Sequence, residues 1–166
     1  FISDDPVAEI KTQLAKLADC SVIPGISLRG ATPEAFRAVA QALGTAAVYE
    51  IDAHCRQPAM IEAGCGEAFL KDTGRLAEVI RALKGEGVTV SVKIRAGVAD
   101  DDRVLAELIW RAGADILHID LMDYGTAKLR QIRNTCPLLL IANNSITSFD
   151  RMKDMLSHGA DMVSLA

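Results

Sequence analysis

At 166 residues, half of them hydrophobic and 24% charged, the chain is long enough for one domain with a real core and too apolar to be disordered. A net charge of -4 with no basic run gives no sign of nucleic-acid binding by charge. The lack of a long apolar span or signal-like N-terminus reads as a cytoplasmic protein that does not enter a membrane.

Ser3-Asp4-Asp5-Pro6 opens a helix whose apolar stripe is Val7, Ile10, Leu14 and Leu17. Residues 21–28 read as a strand. Thr32-Pro33-Glu34 starts a second helix that runs to about Leu43 and stops at Gly44. A strand follows from Ala47 to Asp52. Asp72 to Lys84 is helical, with Leu76, Val79, Ile80 and Leu83 on one face, and Gly85 and Gly87 end it before a strand at 88–94. Asp101 to Ala112 is a helix with Val104, Leu105, Leu108 and Ile109 inward, and Trp110 is expected against the outside of the fold. Asp100-Asp101-Asp102 reads as a cap and solvated first turn rather than a metal site. Strands at 116–120, 138–142 and 162–165 alternate with helices at 125–133 and 147–158.

Gly113-Ala114-Asp115 and Gly159-Ala160-Asp161 each lead from a helix end into a buried strand. A recurring βα unit of this kind predicts an α/β fold, a (β/α)8 TIM barrel of which this chain holds about six units in one partial domain. The first two strands are expected upstream of Phe1 and the final helix beyond Ala166. A doubly wound sheet is the alternative, but no Gly-x-Gly-x-x-Gly follows a first strand. Unpaired strand edges would make a homo-oligomer possible.

In a parallel α/β fold the chemistry gathers where the strands end. The strand ends carry Ser27-Leu28-Arg29-Gly30, then Asp52-Ala53-His54-Cys55-Arg56, then Lys93-Ile94-Arg95, Asp120 with Met122 and Asp123, Asn143-Asn144-Ser145, and Ser164. Of the four cysteines, Cys20, Cys65 and Cys136 read as small buried hydrophobes, and the absence of a Cys-x-x-Cys pair argues against structural zinc. Cys55 stands apart because of its company. Lys93 leaves a buried strand and needs an anion, a dipole or water. It either pairs with a carboxylate such as Asp52 or Asp120 or faces an electron-rich cofactor ring such as the N1/O2 side of a flavin. His118 alternates with Asp120 and either points inward or is a satisfied core histidine. His158 near a helix C-terminus suits the helix dipole.

The central segments resemble the tRNA-dihydrouridine synthases, FMN-dependent barrels with an Asn-x-Gly-Cys-Pro strand end, a Gly-x-Gly-x-x-Leu-Leu segment and a Lys-Ile-Arg strand. Here the counterparts are Asp52-Ala53-His54-Cys55-Arg56, then Gly64-Cys65-Gly66 through Leu70, and Val92-Lys93-Ile94-Arg95. The segment Glu50 to Pro58 is similar to a short archaeal branch that has Asn where this chain has Asp52. The resemblance implies flavin-dependent reduction of the C5=C6 bond of a uracil-type ring, with NAD(P)H as reductant and tRNA as a possible carrier of the ring. It implies that Cys55 is the acid that protonates C5 and that Lys93 contacts FMN. It also implies that Ser27 and Asp120 border the cofactor, that Asn143, Asn144 and Ser145 form the phosphate loop, and that Asp52 and Arg56 face substrate.

The chain departs from the family pattern at several points. Asp120-Leu121-Met122 stands for the family's His-x-Arg, Ser27 for a Gln, His54 for the Gly before the cysteine, and Asn144 for a loop Gly. The alternatives are another FMN barrel oxidoreductase akin to dihydroorotate dehydrogenase, and a flavin-binding barrel without catalysis.

Overall fold

The computed structural model describes residues 4–144 and 146–165. Six parallel strands form one sheet in sequential order: β1 (Gly25–Leu28), β2 (Val48–Ala53), β3 (Thr89–Arg95), β4 (Ile116–Asp120), β5 (Leu139–Asn143) and β6 (Met162–Val163). Every strand lies beside its neighbour in sequence. That order is the curving sheet of a partial TIM barrel, and it excludes the doubly wound alternative, in which the strand order reverses.

Helices return the chain between strands: α1 (Pro6–Ala15), α2 (Pro33–Leu43), α5 (Thr73–Lys84), α6 (Asp102–Arg111), α7 (Gly125–Arg133) and α8 (Phe149–Ser157), with two short helices, α3 (Pro58–Glu62) and α4 (Ala68–Lys71), between β2 and α5. Their starts are chemically marked. The side chains of Asp5, Thr32, Asp72, Asp101 and Ser148 each accept a backbone N–H of the following turn, and Pro6 and Pro33 occupy the first helical turn, where no N–H is needed.

Alternation along each strand divides the sheet into two unlike faces. Tyr49, Ile51, Ala53, Val90, Val92, Ile94, Leu117, Ile119, Leu140 and Ala142 are fully buried beneath the helices, with Leu76, Val79, Ile80 and Leu83 of α5 packed against them. The opposite set on β2 to β4 is polar: Glu50, Asp52, Ser91, Lys93, Arg95, His118 and Asp120. The helix-covered face holds the fold together, and the inner face of β2 to β4 is lined by polar and charged side chains.

The recurring Gly-Ala-Asp has a structural cause. Asp115 accepts the Val90 N–H at 2.8 Å and pairs with Lys84 at the end of α5. Asp161 likewise accepts the Leu140 N–H at 2.8 Å and pairs with Arg133 at the end of α7. Gly113 and Gly159 precede them with φ of 102° and 110°, a region open to glycine. Each Asp thus ties the start of its strand to the strand and helix before it. These residues lie at the N-terminal ends of the strands, the face of such folds that serves stability.

Several expectations are corrected. Cys20, read as a buried hydrophobe, is exposed, and Leu17 lies past the end of α1 and is exposed, because α1 stops at Ala15. Asp102 is not in a solvated turn: its carboxylate is buried, accepts the Gly97 N–H with both oxygens and pairs with Lys128 at 2.7 Å. Val104 faces solvent, because Leu105, Ala106 and Ile109 set the buried face of α6 one position away. Trp110 is exposed and stacks with Arg111 rather than packing onto the fold.

Candidate active site

Cys55 lies just past the end of β2 and is buried. Its position is set by Asp52, whose Oδ1 accepts the backbone N–H groups of both His54 and Cys55 at 3.0 Å. The other carboxylate oxygen takes the Arg29 Nε at 2.7 Å. Burial pushes the Asp52 carboxyl up, but Arg29 and the two N–H groups outweigh it and hold it below the usual carboxylate range. Asp52, expected at the substrate, therefore has both oxygens engaged inside the protein, where they shape the turn that presents the thiol.

The glycine-rich segment closes beneath this turn. Glu67 N–H donates to the Cys55 carbonyl at 3.0 Å. Gly66 has φ of 60°, and a Cβ there would collide with the same carbonyl oxygen. Arg75 anchors the segment from below, donating to the Gly64 carbonyl at 3.0 Å and lying over the Phe69 ring.

Beside Cys55 lies a charged cluster from three strand ends and the helical segment. Arg95 pairs with Glu67 at 2.9 Å and Asp120 at 3.0 Å, while His54 Nε2 lies 2.7 Å from Asp120 and 2.8 Å from Arg95. The two partners of this ring nitrogen demand opposite states: a proton on it satisfies Asp120, and a lone pair satisfies Arg95. Burial raises the Asp120 carboxyl, but the contacts to His54, the Met122 N–H and Arg95 bring it below its ordinary range. Sequence reasoning missed Arg95 as the centre of this cluster, although its place two residues after Lys93 on the inward face was legible.

Lys93 pairs with neither Asp52 nor Asp120, since those carboxylates hold Arg29, His54 and Arg95. Among the described residues no carboxylate lies within ion-pair distance of its Nζ, so the internal salt bridge is not formed. Its register partners are Asp52 and His118 on the adjoining strands. Ser27 turns its hydroxyl to Glu50. His118 points inward, bonded through Nδ1 to Glu50 at 2.8 Å. Arg56 is exposed and makes no ion pair among the described residues.

At the end of β5, Asn143 donates to the Ser164 hydroxyl at 3.2 Å. Asn144 has φ of 89°, the left-handed conformation that a glycine would supply, and Asn adopts it more readily than most residues. Ser145 lies outside the described residues. The α8 N-terminus follows, beside a cavity of about 330 Å³ lined by Ile146, Ser148 and Met152 among others. The strand-end constellation runs from Ser27 through Cys55, Lys93 and Asp120 to Asn143 at the C-terminal edge of one parallel sheet.

That arrangement defines a TIM-barrel-class α/β protein with its candidate site at the carboxyl ends of the strands. The model of the dihydrouridine synthase (Dus) family matches residues 25–166, and the chain belongs to that family. An uncharacterised protein of Methanocaldococcus jannaschii is 26% identical over 162 residues, covering 93% of this chain and 62% of that relative. Inosine-5'-monophosphate dehydrogenase of Staphylococcus aureus is 27% identical over 105 residues, covering 60% of this chain and 21% of its own length. Among solved structures, FabK from Thermotoga maritima superposes with a TM-score of 0.61 at 16% identity, over 97% of this chain and 47% of that one. The chain thus spans less than two thirds of the relatives it matches. No helix among the described residues is long and apolar enough to cross a membrane.

Proposed function

We propose that this chain carries the catalytic face of an FMN-dependent oxidoreductase that reduces the C5=C6 bond of a uracil-type ring. The observation that carries this reading is a fixed thiol beside a cation that makes no close ion pair among the described residues. Cys55 is held by Asp52 at the end of β2, while Lys93 on the next strand makes no ion pair among the described residues and acts on Glu50 at longer range. The lining suits a polar heterocycle: an ammonium donor, a buried His118 Nε2 with no partner among the described residues, and the Asn143–Asn144 loop before a helix start. On this reading Lys93 and Ser27 border the ring system, and the loop at 143–145 holds the phosphate.

When bound, reduced flavin supplies the hydride to C6. Cys55 gives a proton to C5, a role suited to a thiol because its ordinary pKa of about 8.5 lies near neutrality, so it can release and regain a proton. Asp52 keeps the thiol in place and Arg29 keeps Asp52 ionised. Arg56, exposed beside the cysteine, is placed to meet an anionic part of the substrate. NAD(P)H is the reductant this reading calls for, and tRNA is the candidate carrier of the ring.

The test is Cys55→Ala in the full chain. FMN affinity is expected to stay the same while the rate at which a uridine substrate oxidises reduced flavin falls about 10²- to 10⁴-fold. An unchanged rate would remove Cys55 as the acid. Unchanged FMN binding with no substrate turnover in the unaltered protein would leave a flavin-binding barrel without this catalysis.

A further inference from the structure

Glu50 gathers the polar groups of the inner sheet face. Its Oε2 lies 2.8 Å from His118 Nδ1 and 3.3 Å from Ser91 Oγ, the Ser27 hydroxyl bonds to it, and the charge of Lys93 acts on it. Groups from three other strands, β1, β3 and β4, therefore converge on one carboxylate of β2. Burial alone would raise it, but His118, Lys93 and Ser27 together hold it below its ordinary range, so it is ionised at neutral pH.

An ionised carboxylate only accepts hydrogen bonds. The proton of a neutral His118 therefore sits on Nδ1, which leaves Nε2 as a lone pair. That atom is buried and has no partner among the described residues, on a side chain only 9% exposed. Buried polar atoms in folded proteins are nearly always satisfied, and one left open on the polar inner face of the sheet points to a ligand group that completes it.

The neighbour of His118 across the sheet is Lys93, its register partner on β3. Adjacent strands lie about 4.8 Å apart, so an acceptor and an ammonium donor stand side by side on the inner face. A ligand that satisfies both presents a donor next to an acceptor. The edge of a cyclic imide, an N–H flanked by carbonyls, has that pattern.

We infer that His118 is a ligand-binding residue, its Nε2 accepting the imide N–H of a bound ring whose neighbouring carbonyl takes Lys93, with Glu50 fixing the tautomer. This deepens the flavin–uracil reading and rests on it for the choice of ring. The isoalloxazine and uracil rings both carry an imide edge, and nothing in the resemblance to the family assigns a role to His118.

The experiment is ¹⁵N NMR of the histidine rings in the unaltered full chain, with the His118 resonances assigned through His118→Gln. The protein is titrated separately with FMN, 3-methyl-FMN, uridine, 3-methyluridine and inorganic phosphate. Flavin fluorescence quenching is followed in parallel as a measure of FMN binding. The expected result is a His118 Nε2 resonance that shifts with an imide ligand and does not shift with its N-methylated counterpart. A shift with FMN assigns the flavin as the source of the imide, and a shift with uridine assigns the pyrimidine. His118→Leu is expected to weaken that ligand at least tenfold.

FMN quenching with an unmoved His118 under every probe would overturn the inference and leave the flavoprotein reading standing. An Nε2 that is protonated in the free protein and responds to phosphate alone would overturn it in favour of an anion site. No quenching and no shift with any probe would overturn both readings.

Discussion

His54 Nε2 lies 2.7 Å from Asp120 Oδ2, which joins two of the positions at which this chain departs from its family's pattern. His54 replaces a glycine and Asp120 a histidine. Taken singly, each looks like a loss of function. Together they make a side-chain contact braced by Arg95, itself paired with Glu67. The site has lost an imidazole on β4 and gained one just past the end of β2, bonded to the carboxylate that took its place.

Removing Asp120 should therefore destabilise the protein as well as disturb the site. Asp120 and Arg95 have side chains 9% and 11% exposed, so Asp120→Ala leaves a nearly buried guanidinium short of one partner. The expected cost is about 2–3 kcal/mol, toward the low end for a broken buried pair because Glu67 still holds Arg95. Urea denaturation should show a lower midpoint with an unchanged slope.

Gly66 and Gly87 both have positive φ, 60° and 73°, but only Gly66 approaches other atoms. Gly87→Ala should cost about 1 kcal/mol from backbone conformation alone. Gly66→Ala adds a collision with the Cys55 carbonyl, so about 3 kcal/mol is expected, together with a changed rate of Cys55 alkylation. Equal costs in the two variants would show that the close approach does not matter.

The barrel order and the helix-covered core were legible because short β-branched stretches alternate with amphipathic helices, most of the long ones opened by Asp, Thr or Ser. Placing Cys55, Lys93 and Asp120 at strand ends needed only period-two alternation. The pairings were not legible. Arg29 reaches Asp52 across 23 residues and His54 reaches Asp120 across 66, and such contacts depend on strand register and sheet curvature. The short helices α3 and α4 were hidden because four- and five-residue helices carry no periodic signal. Asp102 was misjudged because an acidic first turn is normally solvated, and only the fold shows Gly97 and Lys128 closing over it.

Acid should weaken the fold through Glu50, Asp52 and Asp120, all held below the usual carboxylate range. Near and below the ordinary carboxylate pKa of about 4, the unfolded chain binds more protons than the folded one, so stability rises with pH. Their contribution is complete above that value and is lost as pH falls through the depressed folded values. Asp52→Asn should lower the urea midpoint near neutrality and flatten its decline below about pH 5. A variant with the same acid slope as the unaltered protein would show that Asp52 is not one of the groups responsible.

The central claim, that the inner face of this sheet binds FMN, is tested most directly by a visible absorption titration of the purified full chain with FMN, run beside Lys93→Ala. The account predicts shifted flavin bands that saturate at one flavin per chain, with affinity at least tenfold weaker in the variant. Bands identical to free FMN at every protein concentration would contradict it.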